Sequence, residues 1–162
     1  MDKDFSSKIL NKIVLVGIIL TLLALLSMPI ILTAIFKSNF SIVGSSIPTK
    51  ISIGIYICAI PYVIALFLLR KLCKMIAINK PFSEKIPRYL KQISICAFSE
   101  ILIYNAIQLV LYYVFNIYLY GLTIVLAIIV SFVSLAIGFL SLVMSKLFEM
   151  AIEIKDENDK TI

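Results

Sequence analysis

The sequence predicts an all-α membrane protein, a four-helix transmembrane bundle with the N-terminus and the C-terminus cytoplasmic. Three observations carry that prediction. First, 62% of the 162 residues are hydrophobic and only 15% are charged, against about 25% charged in a soluble domain. A soluble core of this size needs far more polar residues to cover its surface. Second, the charges fall in clusters and leave uncharged stretches of 24 residues at 13–36, 19 at 51–69 and 45 at 101–145. Third, thirteen of the fifteen Lys and Arg residues fall in segments that a four-span path places on one side.

Crossing about 30 Å of hydrocarbon at a rise of about 1.5 Å per residue takes about 20 apolar residues. The longest stretch therefore holds two spans with a turn at residues 116–121, where Asn116, Tyr118, Tyr120 and Gly121 cluster. This gives spans at about 13–36, 51–69, 95–117 and 122–145 within a single transmembrane domain, residues 1–162. Hydrocarbon cannot hydrogen-bond free backbone groups, so the spans are helices or barrel strands. Barrel strands alternate in polarity over about 10 residues, and these runs do not.

The first span has an apolar region about twice the usual signal-peptide length and no small-x-small cleavage site after it, so it reads as an uncleaved anchor. It offers the small residues Gly17, Thr21 and Ala24, and Pro29 as a kink. The second span has Gly54, Cys58, Pro61 and Ala65 at spacings of 4, 3 and 4. The fourth repeats that pattern in Ala127, Ser131, Ser134, Gly138, Ser141 and Ser145. Rows of this kind let helices pack closely. They would serve a homo-oligomer or the internal bundle equally well.

The third span carries the polar residues. Glu100, Tyr104, Gln108, Tyr112 and Asn116 recur every four positions, with Asn105 beside them. Such a row drifts by about 40° per step around a helix. A carboxylate deep in a bilayer costs roughly 3 kcal/mol and needs a partner or water. If the span starts at Ile101, Glu100 is interfacial. If it starts near Ile95, Glu100, Tyr104 and Gln108 form an intramembrane polar seam able to bind a ligand, proton or ion. Tyr112, Tyr113, Tyr118 and Tyr120 form an outer aromatic belt.

Orientation follows from the basic residues in short loops. The N-terminal segment holds three. The loop at 70–94 holds Arg70, Lys71, Lys74, Lys80, Lys85, Arg88 and Lys91, and the tail at 146–162 holds three more. The first loop has Lys37 and Lys50, and the third has none. Both ends and the 70–94 loop are thus expected in the cytoplasm, in a bacterial cytoplasmic membrane. That loop is strongly basic and the tail is acidic, so opposite charges share one face. The loop anchors to anionic lipid at about 1 kcal/mol per basic residue, or docks an acidic partner or the protein's own acidic tail through Arg70, Lys71 and Lys74. Direct nucleic-acid binding is not expected, because no known nucleic-acid-binding motif is present. Within the loop, Pro81 breaks a helix, Ser83 caps the next, Glu84 suits its positive end, and Phe82 can staple onto Ile86. Pro87 falls in the first turn, where its missing N–H costs least.

Chemistry is sparse. The chain has no histidine, so imidazole bases, histidine triads and histidine-ligated zinc or haem are excluded. Cys58, Cys73 and Cys96 have no metal or disulfide spacing. No catalytic residue, cofactor site or metal site is expected, and the chain does not read as an enzyme.

The stretch Pro81-Phe82-Ser83-Glu84, with Leu90 and Ile93 beyond it, resembles a signature of the domain-of-unknown-function 2975 family of small bacterial four-span membrane proteins. The ending Asp156-Glu157-Asn158-Asp159-Lys160-Thr161-Ile162 is similar to that family's acidic C-terminus, with Lys160 where leucine is common. Pro87 and Tyr89 also depart from the family's usual residues. The resemblance implies no enzymatic activity. Because members are often encoded beside a small helix-turn-helix transcription regulator, it implies such a protein as partner. The expected docking residues are Arg70, Lys71, Lys74, Pro81, Phe82, Ser83, Glu157, Asn158 and Asp159. The leading expectation is a non-enzymatic membrane regulator that binds or sequesters that partner. The alternative, resting on the Glu100 row, is a small transporter or an immunity protein against a membrane-active peptide.

Overall fold

The computed structural model describes residues 3–40, 46–77, 83–115 and 122–160. They form four helices: α1 (Lys3–Phe40), α2 (Ile47–Ala77), α3 (Lys85–Tyr113) and α4 (Leu122–Lys160). All four are long and apolar enough to cross a membrane. The helices run on into the charge clusters that flank their spans, because those clusters mark where hydrocarbon ends and not where a helix ends; α3 starts ten residues before its expected span at 95 and stops at Tyr113, short of the expected 117. α4, at 39 residues, is about 58 Å long at about 1.5 Å per residue, nearly twice the hydrocarbon thickness. The turn at residues 116–121, with Tyr118 and Tyr120 of the aromatic belt, lies outside the described residues, as do Pro81 and Phe82.

The helices pack in chain order. α1 contacts α2, α2 contacts α3 and α3 contacts α4. Among the described residues α1 packs only on α2, and α2 and α4 flank α3 without meeting. α3 is thus central, and it is also the least apolar of the four.

The surface is apolar and much of the interior is small or hydroxylated. On α4 the buried positions are Ser134, Gly138, Ser141 and Ser145, while Phe132 is 71% exposed. Lipid solvates large apolar side chains as well as a protein core does, so close backbone approach through small residues decides the packing. The expected small-residue rows of α2 and α4 are these contact faces. A Cβ on Gly54 would meet Ile107 Cγ2 of α3 at 2.9 Å, and one on Gly138 would meet the Phe98 ring of α3 at 2.9–3.2 Å. Ser145 Oγ donates to the Pro87 carbonyl at 2.9 Å and Asn105 Nδ2 to Ser131 Oγ at 3.4 Å, both between α3 and α4.

The row expected on α1 does not pack. A Cβ on Gly17 would meet nothing within 4 Å, and Ala24 is exposed. α1 instead turns Ile18, Leu25, Leu32 and Phe36 inward, and Phe36 joins Ile51 and Leu111 in one apolar cluster. Its lipid-facing side chains are of the same kind, so hydropathy alone cannot separate the two faces.

Pro29 and Pro61 lie inside unbroken helices. Pro29 has no N–H, which frees the carbonyl of Leu25 four residues back. The Tyr56 hydroxyl of α2 donates to that carbonyl at 3.1 Å. Tyr56→Phe should therefore lower stability by about 1 kcal/mol, since lipid offers the freed carbonyl no other donor. In unfolding titrations, adding Pro29→Ala to Tyr56→Phe should recover part of that loss. Equal losses with and without Pro29 would refute the coupling.

Candidate functional site

Two regions gather the chemically distinctive side chains. The first is the end of the molecule where α2 finishes, α3 starts and the uncharged stretch of α4 stops. α2 continues past its last uncharged residue, Leu69, to Ala77, so Arg70, Lys71 and Lys74 stand on ordered helix. Lys71 and Lys74 are exposed and Arg70 is half-buried. The Lys71 ammonium lies over the Tyr89 ring of α3, 5.9 Å from its centroid.

The start of α3 follows from Ser83. Its carbonyl accepts from the Ile86 amide at 2.9 Å, and its hydroxyl accepts from the Lys85 amide at 3.4 Å. Ser83 thereby serves the orphan amides of the first turn. Glu84 is already helical and makes no side-chain cap. Its carboxylate faces Arg88 at 3.8 Å, an exposed pair of little energetic weight. Pro87 is buried in the first turn.

α4 reaches this end beside them. Phe148 packs on the cluster of Leu68, Leu72, Ile86 and Ile93. Lys146 Nζ donates to Glu149 Oε2 at 2.8 Å. That hydrogen bond holds the Glu149 carboxyl below its ordinary range, and Lys91 of α3 adds to the pull. The acidic extension thus begins beside the basic start of α3. It remains helical to Lys160, with Glu157, Asn158 and Asp159 exposed on it.

The second region is a cavity of about 400 Å³ on the shared flank of α2, α3 and α4. It exists because α2 and α4 both lean on α3 and leave a trough between them. Its walls include Tyr62 and Leu66 of α2, Ile93 of α3, and Ile137, Leu140 and Met144 of α4. Glu100 supplies the one charged side chain among its lining residues. Glu100 Oε2 is enclosed and has no hydrogen-bond partner.

The polar row of α3 divides at this point. Glu100 enters the trough, whereas Tyr104 and Gln108 are half-buried and do not line it, and Tyr112 is exposed against Tyr113. The four-residue spacing drifts around the helix, so one row cannot stay in one groove. Sequence reasoning found Glu100 and missed its surroundings. A trough formed by two helices that fail to meet leaves no mark in either helix's own pattern.

Comparison with known proteins adds the family. No solved structure matches the chain. An uncharacterized membrane protein of Bacillus subtilis (strain 168), YoaS, is 37% identical over 110 residues, covering 68% of this chain and 69% of that protein. A family model described as a protein of unknown function (DUF2975) matches residues 39–162. The match takes in α2, α3, α4, the trough and the charged end, and leaves out nearly all of α1, the helix that packs at the edge. By that match the chain belongs to the DUF2975 family of membrane proteins of unknown function.

Proposed function

We propose that this chain is a non-enzymatic regulator in the bacterial cytoplasmic membrane, with both ends in the cytoplasm. It holds a small helix-turn-helix transcription regulator at the membrane and releases it on a signal. What supports this reading is the charged end. Arg70, Lys71 and Lys74 of α2 and Lys85, Arg88 and Lys91 of α3 lie at the end of the bundle from which the acidic helical extension of α4 runs on, with Lys91 close enough to act on Glu149. Two ordered helical surfaces of opposite charge can clamp a partner that carries both signs, and they do so without chemistry. The partner meets the protein and not its DNA through this site.

The test is to delete residues 147–162 and to replace Arg70, Lys71 and Lys74 by Gln. A helix-turn-helix protein that co-purifies with the wild type in mild detergent should be lost from both variants and appear in the soluble fraction, and its target transcripts should change severalfold. Unchanged transcription with the variants still in the membrane would refute the reading.

A further inference from the structure

The trough between α2 and α4 has the make-up of a ligand site. Its volume of about 400 Å³ falls within the range of about 300–1,000 Å³ usual for small-molecule pockets. Its walls are almost wholly apolar, which favours a ligand that partitions into lipid. It holds one acid, Glu100, and no basic side chain lines it.

Glu100 lines the trough, and its Oε2, covered by neighbouring protein atoms, accepts no hydrogen bond from them, so a ligand donor meets the carboxyl only from the side that the trough leaves open. A buried acceptor without a donor costs free energy, and more so when it is charged. The trough runs along α3 from Leu90 to Glu100, ten residues or about 15 Å at about 1.5 Å per residue. That is the reach of an extended twelve-carbon chain. Glu100 sits at one end of the trough, and the rest of the wall is apolar apart from the buried Ser134 and Ser141.

We propose that the trough binds a lipophilic amine: one protonated nitrogen donating to Glu100, with an apolar body lying along α2 and α4 toward Met144. Charge complementarity selects this occupant. A fatty acid would put a second acidic group against the first and bring no cation, and a hydrocarbon chain alone would leave the carboxyl without a donor. The ligand enters from the lipid, since the trough opens on the helix flank. The proposal is independent of the docking reading, because it concerns the spans and not the charged end.

The probe is radiolabelled dodecylamine, added to the full chain in zwitterionic nanodiscs, with empty nanodiscs subtracted for partitioning. Saturable binding of one amine per chain is expected, with no competition from dodecanol. Glu100→Gln should weaken binding at least about tenfold, since a hydrogen bond to a charged group exceeds the about 1.4 kcal/mol that one decade represents. Glu100→Asp should retain most of the binding. Ile137→Trp, at a position 47% exposed on the wall, should block the trough and abolish binding with Glu100 in place. It keeps the proposal testable if Glu100→Gln fails to fold. No saturable binding above empty nanodiscs would overturn the proposal. So would wild-type affinity in Glu100→Gln or in folded Ile137→Trp, and so would equal competition by dodecanol.

Discussion

Gly138→Leu should destabilise the protein by about 3 kcal/mol, at the upper end for overpacking a close contact. A Cβ at Gly138 would lie 2.9, 3.0 and 3.2 Å from three atoms of the Phe98 ring. The ring cannot simply swing aside past Phe139, to which it stands edge-on with centroids 5.5 Å apart. The helices must therefore separate. Two hydrogen bonds that join α3 and α4 sit one heptad from Gly138 on either side, at Ser131 and Ser145. A wedge between them lengthens both. Gly17→Leu is the control. That position is open for 4 Å around a Cβ, and replacing Gly in a helix gains about 0.5–1 kcal/mol. Unfolding of both variants in mixed micelles with a denaturing detergent would measure the contrast. Equal stabilities would mean that α4 does not approach α3 through Gly138.

The difference between these glycines also shows what was legible in the sequence. The rows from Gly54 to Ala65 and from Ala127 to Ser145 could be read because small and hydroxylated residues at heptad spacing have no purpose facing lipid. The same logic misled on α1. Gly17 and Ala24 keep the spacing, but α1 meets a single neighbour and does so through Ile18, Leu25, Leu32 and Phe36. Bulky apolar residues suit lipid and protein equally, so α1's contact row has no compositional signature.

The chain-order packing was not legible for a related reason. A row announces that something packs on it without naming what. The trough depends on two such choices at once, α2 and α4 each settling on α3 and not on each other. Glu100 itself was conspicuous from charge alone. Its enclosure follows from that gap, which lies in no single helix. The basic residues of α2 and α3 could be assigned to one loop from sequence, but their nearness to the acidic extension rests on Phe148 and the Ser145–Pro87 hydrogen bond. Those contacts join residues far apart in the chain.

The second large effect is all-or-none labelling across the membrane. Two single-cysteine variants are needed, each with Cys58, Cys73 and Cys96 replaced by Ala: Thr49→Cys in the first turn of α2 and Asn158→Cys near the end of α4, both exposed positions. A membrane-impermeant maleimide should label the Thr49→Cys variant in intact cells, and the Asn158→Cys variant only after the cells are opened. The basis is the uneven basic charge: seven Lys and Arg residues at 70–94, between the second and third uncharged spans, against two at 37–50, between the first and second. Short loops with the larger basic count stay on the inner side. Replacing all seven with Gln should make the labelling mixed, because the remaining bias rests on the N-terminal and tail lysines. Labelling of Asn158→Cys in intact cells would invert the protein. It would place the acidic helix beyond the reach of any cytoplasmic regulator and so remove the docking proposal. Glu100 would then lie toward the outer leaflet, and a lipophilic amine would reach it from outside the cell with no need to cross. The amine site would survive that result, which is why orientation and amine binding have to be measured separately.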